Sequence, residues 1–161
     1  MNQAVLAAKT ETVKTITEKA KESQTIIVCE YRGLTVAQIQ EVRRALHKEN
    51  AEMNVYKNSL VERAVDELGY NEMNDILKGP NAIVFSKDVI GGAKVIAKYA
   101  KRHKDVLVVK GGVVEGKFVD ANGMLEVAKL PGREGLISMF LSCLQAPIRS
   151  FACAVKAVAD K

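Results

Sequence analysis

The residues with the most evident chemistry are Gly111-Gly112-Val113-Val114-Glu115-Gly116-Lys117, whose glycines and lysine have the spacing of a phosphate-binding P-loop. That loop needs a hydroxyl after its lysine to hold magnesium, and Phe118 stands there instead. Glu115 would set a carboxylate against the phosphates. The flanks Val106 to Val109 and Phe118 to Val119 read as a hairpin, whereas a P-loop requires strand, turn and helix. A nucleotide-dependent enzyme is thus poorly supported, and Gly91-Gly92 offers still less. His47 and His103 fall on predicted helix surfaces beside lysines, so no Ser, His and Asp or Cys, His and Asn set can be motivated. Cys29, Cys143 and Cys153 sit far apart inside apolar runs, without the paired spacing of zinc or redox sites, and read as small core residues. The expectation is no catalysis, no metal, no cofactor and no small-molecule substrate.

A different chemistry recurs. Tyr31-Arg32-Gly33-Leu34-Thr35 delivers a cation and a small polar or glycine residue directly in front of a predicted helix, and Tyr56-Lys57-Asn58-Ser59 does so again. Lys78-Gly79-Pro80-Asn81 supplies a third basic turn, before a strand. Helix N-termini present free amides and partial positive charge, glycine lets backbone approach closely, and Arg or Lys adds charge-assisted bonds to phosphate oxygens. Together these turns would form a cradle for a phosphate backbone, which Arg43-Arg44 could extend. The alternative is ordinary turn chemistry, with Arg32 and Lys57 solvated.

Positioning these turns requires regular elements. Met1 to Glu22 carries Leu6, Val13, Ile16 and Ala20 at helical spacing. A strand follows at Ile26 to Glu30. Thr35 and Gln38 make a capping box for a helix from about Val36 to Glu49, with Val36, Ile39, Val42 and Leu46 as its apolar stripe. Met53 to Tyr56 reads as a strand, and Ser59 with Glu62 as a second capping box opening a helix that Gly69 ends. Ala82 to Ser86 is a third strand, and Asp88 caps the helix after it. Strands at Val106 to Lys110 and Gly112 to Val119 then form a hairpin, and a short helix spans Asp120 to Lys129. Leu130-Pro131-Gly132 marks a boundary, which divides the chain into residues 1–131 and a helical arm, 132–161. In the arm, Ile137, Phe140, Leu141 and Leu144 share one face, Pro147 breaks or kinks the helix, and Ile148, Phe151, Ala152, Val155 and Val158 form a second stripe.

The chain has 161 residues, 48% hydrophobic and 27% charged, an ordinary globular composition that argues against disorder. One domain of this size buries about 68 to 70% of its unfolded surface, so no disulfide or metal is needed to explain folding. The net charge of +5 hints at a polyanionic partner, although residues 1–68 balance to zero. The longest uncharged stretch, Gly135 to Ile148, has 14 residues, short of the roughly 18 to 20 of a membrane span, and reads as a buried helix. The first residues lack a secretory signal pattern, so a cytoplasmic protein without membrane contact is expected.

Several segments in combination resemble the L-ten family of bacterial ribosomal proteins, from the base of the large-subunit stalk. They are Tyr31-Arg32-Gly33-Leu34-Thr35-Val36 with Gln38, Arg43 and Leu46; Tyr56-Lys57-Asn58-Ser59-Leu60 with Arg63-Ala64; Gly79-Pro80-Asn81-Ala82; Ala93-Lys94; Leu130-Pro131; and Ala146-Pro147. The resemblance implies an α/β (α+β) fold: a mixed sheet with helices packed on it, a ferredoxin-like variant, followed by the helical arm. It further implies binding to the GTPase-associated region of large-subunit rRNA beside another stalk-base protein. The rRNA contacts would fall on Arg32, Gly33, Thr35, Arg43, Lys57, Asn58, Lys78, Gly79 and Pro80. In the arm, Ile148, Phe151, Ala152, Val155 and Val158 would dock dimers of the L-seven/L-twelve stalk protein, which recruit translational GTPases. The alternative from another class is the nucleotide-dependent enzyme using Gly111 to Lys117, and a third reading, which the resemblance allows, is a regulatory protein acting on messenger RNA through the same cradle.

Overall fold

Thr25-Ile26-Ile27-Val28-Cys29 is continuously non-charged and mostly apolar, the pattern of a strand covered on both faces. As β1 (Thr25–Glu30) it lies at the centre of a five-stranded sheet. The computed structural model describes residues 3–102 and 106–159, so His103 lies outside the described residues, as does the side chain of Leu6. With β2 (Ala51–Asn54), β3 (Asn81–Ser86), β4 (Val108–Val114) and β5 (Lys117–Asp120), the strand order is β2-β3-β1-β4-β5. Two helices, α2 (Val36–Lys48) and α4 (Gly91–Arg102), join β1 to β2 and β3 to β4. The two β-α-β units interleave: β3 enters between β1 and β2, and β1 between β3 and β4. This is the split β-α-β, ferredoxin-like arrangement. Interleaving makes every neighbouring pair antiparallel, which narrows the mixed sheet expected from the element order.

Each face has its own core. Ile27, Cys29, Val84 and Val109 pack under Val42 and Leu46 of α2, Ile96 of α4 and Met124 of α5 (Ala121–Val127). On the other face, Ile26, Val28, Ile83 and Phe85 meet Val13, Ile16 and Ala20 of α1 (Gln3–Glu22) and Val61, Ala64 and Val65 of α3 (Asn58–Leu68). Met73, from the 3-10 turn Asn71–Ile76, joins this second cluster.

Several local expectations need correction. Val36, placed on the apolar stripe of α2, is exposed. The box Ser59/Glu62 does not form, because the chain enters α3 at Asn58 with Lys57 as its N-cap. Asp88 closes a turn on the amide of Val89 instead of capping α4, which starts at Gly91. The hairpin turn falls at Glu115-Gly116, both with positive φ, and β4 runs straight through Gly111, expected between strands, and Gly112, expected to open the second one. By contrast, the Thr35/Gln38 box is complete, and Gly69 ends α3 in the left-handed region at φ 81°.

Contacts divide the chain into Met1–Lys129 and Leu130–Lys161. The second unit is dominated by α6 (Arg133–Ala159), which continues through Pro147 with no break. Proline removes one amide from the ladder, and on an exposed helix water can satisfy the carbonyl left without it. The stretch Gly135–Ile148, expected to be buried, is largely exposed, with Phe140 at 65% and Leu144 at 61%. Cys143 and Cys153 are exposed as well, whereas Cys29 is the core thiol expected. Because the helix does not stop at Pro147, Glu134–Ala159 is long and apolar enough, by length and composition alone, to cross a membrane. Arg149 falls near its middle, where a bilayer charges about 2.5 to 3.5 kcal/mol for a guanidinium.

Candidate nucleic-acid interface

Strand register decides whether the three basic turns meet. Glu30 pairs with Asn81 and with Val108, and Asn54 pairs with Ile83. The carboxyl ends of β1 and β2 therefore share one end of the sheet with the amino ends of β3 and β4. Arg32-Gly33 leaves β1 at that end, Lys57-Asn58 follows β2 there, and Lys78-Gly79-Pro80 enters β3 there. The three turns lie within roughly two strand spacings, about 10 Å of sheet width. Helices α2 and α3 also begin there, adding the positive ends of their dipoles.

Two hydrogen-bond systems join the turns. The side-chain amide of Asn58 donates to the Gly79 carbonyl at 2.9 Å, linking the β2 and β3 turns. The Lys110 ammonium donates to the Lys78 carbonyl at 2.6 Å and to Asn81 Oδ1 at 2.9 Å, and it pairs with the Glu30 carboxylate at 3.1 Å. Lys110 thus spans the ends of β1, β3 and β4. It can do so because the β1–β4 ladder slips there: Val28 faces Gly111 and Cys29 faces Val109, leaving Lys110 as the extra residue of a β-bulge. A bulge re-aims its side chain and tolerates the positive φ of Gly111. The two glycines serve packing, not phosphate binding, since a Cβ on Gly112 would collide with the Ile26 carbonyl oxygen.

Among the described residues, Arg32, Arg43 and Lys57 have no carboxylate partner, and Lys78 meets only Asp75, at 3.9 Å and highly exposed. Gly33 and Gly79 hold φ of 94° and 97°, conformations that L side chains rarely adopt. The Thr35 hydroxyl accepts from the Gln38 amide at 3.4 Å, which leaves its own proton to donate. Arg43 stands apart, exposed and about 10 Å along the helix axis from Val36. Tyr31 and Tyr56 pack on opposite faces of the sheet, Tyr56 against Phe85 with ring centroids 6.5 Å apart. Sequence reasoning missed Lys110 and Glu30, although a Gly-Gly pair inside a strand pattern is a signal for a bulge. Among the described residues, no group of three His, Cys, Asp or Glu side chains could hold a metal ion.

On the second unit, Ile137, Leu144, Phe151 and Val158 recur every seven residues along α6, with Phe140, Leu141, Ile148 and Val155 between them, all exposed. That is the repeat of a helix seeking a helical partner.

A family model described as "Ribosomal protein L10" matches residues 4–101, and one described as "Ribosomal protein uL10 C-terminal region" matches residues 130–161. The chain belongs to the ribosomal protein L10 family. It is 46% identical over 159 residues to "Large ribosomal subunit protein uL10" of Bacillus licheniformis, covering 98% of this chain and 95% of that one. Proteins of the same name from Bacillus cereus strains B4264 and AH187 are 48% identical over 158 residues, with the same coverage. These L10 relatives carry the name of a ribosomal constituent, not that of an enzyme.

Proposed function

We propose that this L10-family chain is a structural component of the large ribosomal subunit in the cytoplasm, with two binding surfaces. The first grips the phosphate backbone of large-subunit rRNA through Arg32, Gly33, Thr35, Lys57, Asn58, Lys78, Gly79 and Pro80, with Arg43 as an outlying contact. The GTPase-associated region, beside a neighbouring stalk-base protein, is the rRNA site this reading names. The observation that carries it is the convergence of three basic turns at one sheet end, two of them joined by the Asn58–Gly79 bond. Backbone amides and cations so arranged suit phosphate oxygens.

The second surface is the α6 stripe, in which Ile148, Phe151, Ala152, Val155 and Val158 dock helices of L-seven/L-twelve stalk dimers. An exposed seven-residue apolar repeat supports this reading, since the stripe needs a partner helix to cover it.

The deciding experiment for the first surface is a salt titration of rRNA affinity. Arg32→Ala with Lys57→Ala should lower the slope of log affinity against log salt by roughly two, at about 0.9 per phosphate contact. An unchanged slope removes both residues from the interface.

A further inference from the structure

The sheet separates charge. On its α2/α4 side, those two helices and α5 carry seven cations against two carboxylates, Glu41 and Glu126, a net of five that equals that of the whole chain. On the opposite side, α1, α3 and the 3-10 turn carry five cations against eight carboxylates. Glu41 is itself engaged, accepting from the Tyr99 hydroxyl at 3.1 Å and pairing with Arg102 at 3.4 Å. These contacts place α2 and α4 side by side, and Gly91 lying against Glu49 at the other end shows that they run antiparallel.

Glu41, Arg44 and Lys48 fall at i, i+3 and i+7, so the two cations share the flank of α2 that faces α4. Lys94, Lys98 and Lys101 fall at i, i+4 and i+7 on α4, opposite buried Ala93, Ile96 and Ala97. All five cations are exposed, and none has a carboxylate partner among the described residues. The Arg44/Lys48 pair thus lies on the flank of α2 towards α4, while Lys94, Lys98 and Lys101 lie on the α4 flank away from Tyr99, so the cations border the two-helix face on separate lines, with roughly 6 Å between successive Cβ atoms along each.

We propose that this outer face of α2 and α4 is a second RNA-binding surface, taking the sugar–phosphate backbone of a segment other than the one at the strand-end turns. The inference rests on the rRNA-binding reading above for its partner class and on the charge separation for its location. An acidic protein is the lesser fit. Protein interfaces need an apolar core, and α4 has no exposed large hydrophobic residue while α2 has only Val36. A phosphate backbone needs little besides cations.

The test uses the full chain and deproteinised large-subunit rRNA from the same cells, with affinity measured across a salt series. Lys94→Gln, Lys98→Gln and Lys101→Gln together should lower the salt slope by roughly two to three and weaken binding about tenfold or more, while the melting temperature holds. A slope unchanged from the parent chain overturns the proposal. So does an unchanged slope accompanied by lost capture of an acidic protein, which would give the face to that partner. The Arg32/Lys57 variant is run in parallel. If its slope holds while that of the triple variant falls, the α2/α4 face stands and the turn cluster is dismissed; if both fall and their effects add, both surfaces stand.

Discussion

The side-chain amide of Asn58 reaches across to the carbonyl of Gly79 at 2.9 Å, so the turn that opens α3 and the turn that enters β3 are tied to each other. Neither group carries charge, and the bond is exposed. Asn58→Ala should therefore cost little stability, on the order of 0.5 to 1.5 kcal/mol. Its effect on RNA should be larger than on folding, because it frees Lys57 from Lys78. Affinity is expected to drop with the salt slope intact, since no cation is lost; a slope that falls would mean that Asn58 acts through charge after all.

Lys110 is a stronger joint because it is only 21% exposed at its side chain and serves three partners. Lys110→Met would leave Glu30, itself 28% exposed, and two carbonyl-type oxygens without their donor. A loss of roughly 1 to 3 kcal/mol is expected, read as a melting temperature lower by several degrees. Adding Glu30→Gln should recover part of that loss, because the stranded charge goes with it. A double variant no more stable than the single one would show that Glu30 contributes nothing to the joint.

The sequence already carried the pattern of β1, the box at Thr35, the stop at Gly69 and the inward stripe of α1, because each is a local rule with one physical solution. The convergence of the turns was only half legible: the cations could be read, but the shared sheet end depends on β3 lying between β1 and β2, a long-range fact. Charge shows the same limit. Residues 1–68 sum to zero because the carboxylates of α3 and of Glu30, Glu49 and Glu52 offset the cations of α1, α2, Arg32 and Lys57 along the chain, whereas the sheet holds α2 and α3 on opposite sides. Lys110 was hidden inside a motif that looked like a P-loop, and Glu115-Gly116 lacks the Asn or Asp that usually announces a two-residue hairpin turn. The exposed cysteines were misplaced because an apolar neighbourhood in sequence need not be buried.

Thiol chemistry offers a direct reading of that last point. Burial pushes the Cys29 thiol up to about 12, so it stays protonated and shielded at neutral and mildly alkaline pH. Cys143 and Cys153 are exposed on α6. A thiol-reactive reagent at about pH 8 should modify two groups rapidly in the folded protein and the third only on denaturation, with protein mass spectrometry identifying Cys29 as the late one. Rapid labelling of Cys29 under native conditions would show that the core cluster around Ala82 and Val84 opens readily.

Val155 sits on the α6 stripe, 53% exposed, between Phe151 and Val158. An exposed position tolerates charge, so Val155→Asp should leave the fold and its melting temperature unaltered. In a helix seam the same carboxylate would be desolvated without a partner, which is costly. Loss of stalk-protein binding by roughly 30-fold, or about 2 kcal/mol, is therefore expected, with rRNA affinity preserved. Truncation of residues 133–161 supplies the companion measurement: it should abolish stalk-protein capture while leaving a cooperative melt and RNA binding in the remaining domain. Undiminished capture by the Val155→Asp chain would mean that the stripe through Ile148, Phe151 and Val158 faces something other than the stalk helices.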